Sequence, residues 1–189
     1  MKKDETKRIV SQCLKGDRKA QKELYSLLGP TLMGLCRRYM ANQEDAEDAL
    51  MESFVSIFTH LDTYRGSTAK ELMTWCKTIT VNRAITKLNA RKAMRRNGVN
   101  VQAESLMYDE PSTPIETSLD ADWILSIMDR MPKKPRLVFN LREIDGYGYE
   151  EMSEMLGMSV GALKVNYHRA RKWLVERLEA DSRKADKVR

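Results

Sequence analysis

Apolar positions recur every three to four residues through most of the chain. From Arg18 to Met40 they fall at Leu24, Leu27, Leu28, Leu32, Leu35 and Tyr39, the spacing that lines one face of an α-helix. Gly29-Pro30 interrupts this stripe and predicts a break between two helices. A longer helix is predicted from Glu44 to Thr63, with Leu50, Phe54, Ile57, Phe58 and Leu61 turned inward. Another follows Gly66, from Lys70 to Met94, and Gly98 ends the pattern. Helix formers dominate these stretches, and no alternating β-branched run is long enough for a sheet, so the predicted class is all-α.

Residues 98–118, GVNVQAESLMYDEPSTPIETS, show no period and combine Gly, Ser, Thr, Asn and two prolines. They read as a flexible linker between two small helical domains, residues 1–97 and 119–189. The second domain restarts with a stripe of Leu119, Trp123, Ile124, Ile127 and Met131, which Pro132 stops. Pro135 suits the first turn of the next helix, whose stripe is Leu137, Val138, Leu141 and Ile144. Asp145-Gly146 is a turn, Met152, Met155 and Leu156 mark a helix of two turns, and Gly157-Met158-Ser159 connects tightly to the next. Short helix, glycine turn and longer basic helix form the helix-turn-helix pattern. Ser159 is the expected N-cap of the second helix.

In that second helix Leu163, Tyr167, Ala170 and Leu174 share an apolar face within about 40°. The opposite face carries Gly161, Val165, His168, Arg169 and Lys172, flanked by Lys164 and Arg171. Small residues at its start allow close approach to a phosphate-lined groove, and the helix dipole favours the anion. Lys164, Asn166 and Arg169 are candidates for base edges or phosphates, and Val165 for a thymine methyl. Taken alone, a basic solvated helix face would account for the charge; the turn before it favours duplex DNA.

The charge agrees with this picture without deciding it. The 189 residues carry a formal net charge of +6, and the pI of about 9.2 favours polyanionic partners. From Val81 to Ala103 there are Arg83, Lys87, Arg91, Lys92, Arg95 and Arg96 and no acid, more than a helix C-terminus needs and suited to a phosphate track. Tyr64, Trp75 and Asn82 lie upstream; aromatics beside a basic strip suit unstacked bases, although Trp75 reads first as core. The preceding helix differs, with Glu44, Asp45, Asp48 and Glu52 on its outer side near Met51 and Val55. An acidic patch repels DNA and points to a separate protein partner.

Other classes find little support. Three cysteines, Cys13, Cys36 and Cys76, are widely spaced, and His60 and His168 are the two histidines, so neither a disulfide framework nor a metal site is expected. No cofactor motif, phosphate-cradling glycine loop or nucleophile motif is present, and an enzyme is not expected. No signal-peptide pattern opens the chain, and no run approaches the roughly 18 apolar residues of a membrane span. The expectation is a cytoplasmic protein without membrane insertion.

"DAEDALMESF" at 45–54, "TWCKTITVNRAITKL" at 74–88 and "MPKKPRLVFNLREIDGYGYEEMSEMLGMSVGALKVNYHRARKWL" at 131–174 together resemble the extracytoplasmic-function sigma factors of bacterial RNA polymerase. The resemblance runs over nearly the whole chain. It implies that the acidic helix binds core RNA polymerase, mapping to Asp45, Asp48 and Glu52 with Met51 and Val55 beside them. It implies capture of a melted −10 element by the Tyr64 to Lys70 loop and by Asn82 and Arg83, with Trp75, Lys87 and Arg91 along the same strip. It further implies −35 recognition by Ser159, Lys164, Val165, Asn166, His168, Arg169 and Arg171, and an anti-sigma factor as a partner besides promoter DNA. Five positions depart from the family's usual residues: Met51 stands for Gln, Gly148 for a Ser or Thr cap, Leu72 for an aromatic, and Val165 and Asn166 for polar or basic residues. The rival readings are a stand-alone helix-turn-helix regulator and a helical RNA-binding or adaptor protein; neither requires the acidic face.

Overall fold

In the computed structural model the described residues are 3–40, 42–96, 127–128 and 130–186. All regular structure among them is helical, and the chain separates into two units, Met1–Tyr108 and Asp109–Arg189. The expected linker, and Leu119, Trp123 and Ile124 of the next stripe, lie outside the described residues.

The first unit holds α1 (Lys3–Leu14), α2 (Arg18–Tyr39), α3 (Gln43–Thr59), a 3-10 turn (Leu61–Thr63) and α4 (Ala69–Arg96). Asp17 starts α2 by accepting the amide of Lys19 at 2.8 Å, and Asn42 starts α3 by accepting that of Asp45 at 2.8 Å. Helices α2, α3 and α4 pack on one another, and α1 lies against α2 and α4. Ile9, Leu24, Leu32, Leu35, Ile57, Leu61, Leu72 and Val81 are fully or almost fully buried between them.

Two expectations are corrected here. Gly29-Pro30 does not divide α2, which runs unbroken with Pro30 inside it. An interior proline costs about 3 kcal/mol, whereas each buried leucine contributes about 1.5–3 kcal/mol. Leu24, Leu28, Leu32 and Leu35 are buried on both sides of it, so packing outweighs the break, and Pro30 itself stays on the exposed side. The helix expected from Glu44 to Thr63 ends at Thr59: the His60 amide closes it on the Ser56 carbonyl at 3.0 Å, and the 3-10 turn drops Leu61 into the core.

The second unit holds α5 (Lys133–Phe139), continued by a π-helical turn (Asn140–Ile144), then α6 (Tyr149–Leu156) and α7 (Val160–Asp186). Ile127, Met128 and Met131 are buried before α5, as are Val138, Leu141, Met152, Leu156, Leu163 and Ala170 further on. Both α5 and α6 pack against α7. Helix α7 outlasts the apolar stripe and runs on through a polar stretch of strong helix formers.

Candidate nucleic-acid interface

The turn between α6 and α7 is fixed by its sequence. Gly157 sits at φ +61, a left-handed conformation that a side chain disfavours. Its amide donates to the Ser153 carbonyl at 3.0 Å, and the Ser153 hydroxyl donates to the Met158 carbonyl at 2.7 Å. Ser159 then caps α7, its hydroxyl accepting the Ala162 amide at 3.3 Å, as its sequence position predicts. At the start of α6 the Glu151 carboxylate accepts the Gly148 amide at 2.7 Å, so glycine serves where a hydroxyl cap was expected.

With α7 anchored by Leu163 and Ala170, its outward face presents Gly161, Lys164, Val165, His168, Arg171 and Lys172, all exposed, with Arg169 beside them. No acid lies between Gly161 and Lys172, and one turn further on Glu176 stands 3.9 Å from the Lys172 ammonium. The Lys164 ammonium lies 5.7 Å from the Tyr149 ring centroid, and the Arg142 guanidinium lies 5.1 Å from the same ring. Tyr167 is half-buried, and its hydroxyl donates to Glu143 at 2.5 Å while Arg171 lies 6.0 Å from its ring. That hydrogen bond, with some burial, raises the Tyr167 pKa, so the phenol remains a donor. Asn166 departs from the expected arrangement. Its side-chain amide donates back to the Ala162 carbonyl at 2.8 Å, and the residue lines a groove of about 470 Å³ with Arg169, Trp173 and the Pro132 to Pro135 stretch. The helical angle of position 166 turns it toward α5 instead of outward.

In the first unit a second groove, of about 420 Å³, lies on the loop before α4 and is lined by Tyr64, Arg65, Lys70, Thr74 and Trp75, with Gly66 and Glu71. The Tyr64 and Trp75 rings are tilted with centroids 5.6 Å apart, both half-buried, so the core reading of Trp75 holds for only part of its ring. The Tyr64 hydroxyl donates to the Thr68 carbonyl at 3.2 Å. Gly66 lets the loop close on that ring, since a Cβ there would come 2.6 Å from Tyr64 Cζ and 2.7 Å from Cε2. Glu71 accepts the amides of Ser67 and Thr68 at 2.8 and 2.9 Å, closing the N-terminus of α4. Burial, and then the Glu71 charge, push the Tyr64 pKa up and keep the phenol protonated.

The basic strip of α4, which its own sequence shows without counter-charge, meets acids from another helix in the fold. Lys87 Nζ lies 3.2 Å from both Asp48 Oδ2 and Glu52 Oε1, and Arg91 forms a two-pronged ion pair with Asp45. Arg83 donates to the Ser56 hydroxyl at 3.0 and 2.7 Å through Nε and Nη2. These partners come from α3, which sequence spacing along α4 alone does not reveal. Asp45 is 5% exposed and therefore belongs to the α3–α4 seam, not to an outer acidic face. Asp48, Met51, Glu52 and Val55 do form that face; Met51 is 57% and Val55 65% exposed. Asn82 is exposed on α4. No helix among the described residues is long and apolar enough to cross a membrane.

Comparison with known proteins gives this arrangement its relatives. Residues 24–94 match the family model for Sigma-70 region 2, and residues 121–174 match that for Sigma-70, region 4. The ECF RNA polymerase sigma-E factor of Haemophilus influenzae is 26% identical over 180 residues, covering 90% of this chain and 94% of that protein. That of Escherichia coli is 28% identical over 172 residues, covering 86% and 88%. The sigma factor RpoE, solved in complex with the anti-sigma factor NepR from Bartonella quintana, shares the fold with a TM-score of 0.56 at 22% identity, covering 85% of this chain and 97% of that one. Region 2 and region 4 thus lie in one chain whose relatives match it almost end to end: the chain belongs to the extracytoplasmic-function sigma factors.

Proposed function

We propose that this sigma factor docks on core RNA polymerase through Asp48, Met51, Glu52 and Val55 of α3, holds melted −10 DNA at the Tyr64–Trp75 groove, and reads the −35 duplex with the outer face of α7. The observation that carries this reading is the segregation of charge. Helix α3 turns carboxylates and two apolar side chains to solvent, whereas the outer face of α7 from Gly161 to Lys172 turns out cations, His168 and Val165 with no acid among them, the first carboxylate, Glu176, lying one turn further on beside Lys172. The first suits a protein surface with apolar and basic character, the second a duplex major groove.

Strand opening costs about 0.6–2.2 kcal/mol per stacked step. One base stacked on an aromatic side chain returns about 1–3 kcal/mol, so a single captured base at Tyr64 and Trp75 offsets about one step. Lys70 and Arg65 at the groove mouth, with Asn82 and Arg83 on α4, supply phosphate and base contacts. Lys87 and Arg91 hold the polymerase-binding helix in place and contribute to the DNA track less than their charge alone suggests. On α7, Lys164, Val165, His168 and Arg171 are the base-reading set, Arg169 contacts phosphate or base at its edge, Ser159 positions the helix start, and Asn166 supports from the side. RNA synthesis itself stays with the polymerase. An anti-sigma factor is a further partner, by analogy with RpoE, which was solved with NepR. The region 2 match disfavours a stand-alone regulator, which needs no polymerase contact.

A pull-down of core RNA polymerase by the tagged chain, with Asp48→Lys/Glu52→Lys as the comparison, tests the docking face. Retention by the unaltered chain and loss in the variant are expected; equal retention would remove this face from the reading.

A further inference from the structure

The loop from Tyr64 to Gly66 has a groove on each side. One is the Tyr64–Trp75 groove described above. The other, of about 310 Å³, separates the same loop from α1 and is lined by Lys7, Val10, Leu14 and Lys15, with Thr6 and Ser11, and by Tyr64 and Gly66. Lys7, Val10 and Leu14 follow helical spacing along one stripe of α1, and Lys15 stands in the turn just after it. The inward side of the helix carries Thr6, Ile9 and Cys13, all buried, so the stripe is not needed to hold α1 on the domain. Leu14 nevertheless leaves 52% of its surface exposed. No carboxylate lines this groove, and α1 precedes residue 24, where the region 2 match begins.

We propose that this groove holds the nucleotides of the melted strand adjoining the one bound at Tyr64 and Trp75. The inference rests on the single-strand reading of the Tyr64–Trp75 groove. Tyr64 is a shared wall, so a strand leaving one groove over the loop enters the other. Val10, Leu14 and the Tyr64 ring offer an apolar floor to base and sugar, and Lys7 and Lys15 stand at its rim for two phosphates. A cationic rim with an aromatic wall, here Tyr64, is the combination that binds single strands without reading their sequence. Gly66 lines both grooves beside Tyr64, and any side chain there would displace that shared wall.

The test measures binding of fluorescent single-stranded oligonucleotides to the full chain assembled with core RNA polymerase. One oligonucleotide carries the −10 bases alone, and others are lengthened by two or three nucleotides at either end. Lengthening at one end is expected to tighten binding, and Lys7→Ala/Lys15→Ala is expected to abolish that gain while leaving the short oligonucleotide unaffected. Two lost phosphate contacts should lower the slope of log affinity against log salt by about 1.4 for the longer strand. Lys19→Ala/Lys22→Ala on α2 makes the same change of net charge away from the groove. A gain that survives Lys7→Ala/Lys15→Ala, or an equal loss in the α2 pair, overturns the inference. Insensitivity of the short oligonucleotide to Trp75→Ala would overturn the reading of the first groove, and the inference with it.

Discussion

The Lys87 ammonium lies 3.2 Å from the Asp48 carboxylate and at the same distance from Glu52, so a cation on α4 bridges two acids one turn apart on α3. Lys87 is 16% exposed, whereas Asp48 and Glu52 are 65% and 54% exposed. The bridge therefore holds both acids at the surface and partly neutralises the face assigned to polymerase. Exposed ion pairs contribute about 0–1 kcal/mol. Lys87→Met is accordingly expected to fold normally by circular dichroism and to bind core polymerase more tightly, with a steeper loss on adding salt. Weaker binding at unchanged fold would show that the bridge is needed to arrange the acids.

Asp45 and Arg91 behave differently because Asp45 is buried. Removing one member of a buried pair leaves the other without compensation, at a cost of about 3–5 kcal/mol. Arg91→Ala should lower unfolding stability by about 3 kcal/mol, given partial access of solvent to the arginine, and Asp45→Asn in the same chain should recover part of it. Urea unfolding of the two variants checks both statements; an Arg91→Ala loss below about 1 kcal/mol would place the pair with ordinary surface bridges.

Much of this fold is legible in the sequence because period and turn chemistry agree. Gly157 and Ser159 announce the helix-turn-helix, and the structure places the left-handed turn and the cap at those residues. Pro30 misleads because a local breaker signal is weighed against burial of leucines that only the folded unit supplies. The same limit applies to charge. Lys87, Arg91 and Asp45 read as two separate surfaces along the chain, and only the packing of α3 on α4 shows that they meet. Asn166 likewise needs the position of α5 to reveal that it faces a groove.

The turn before α7 gives a graded stability test. Gly157→Ala places a Cβ at φ +61 and should cost about 1–2 kcal/mol. Ser159→Ala removes the cap and should cost about 1 kcal/mol. Thermal unfolding is expected to rank them in that order. Near-neutral behaviour of Gly157→Ala would contradict the left-handed turn.

Burial pushes the thiols of Cys36 and Cys76 up to about 12 and that of Cys13 to about 11, from an ordinary 9.0. Folded thiols are thus held protonated. Their contribution to stability is complete below pH 9.0 and is lost as pH rises through about 11 to 12. Iodoacetamide at pH 8 is expected to label none of the three in the native chain and all three in urea, as mass spectrometry would report. Rapid native labelling of Cys36 or Cys76 would contradict the packing of the first unit.

The most direct measurement is in vitro transcription by core RNA polymerase on genomic DNA fragments, with and without this chain, reading the 5′ ends of the transcripts. The account predicts start sites that appear only with the chain, preceded by two shared sequence elements at fixed spacing, and lost with Asp48→Lys/Glu52→Lys. Identical start sites with and without the folded chain would contradict it.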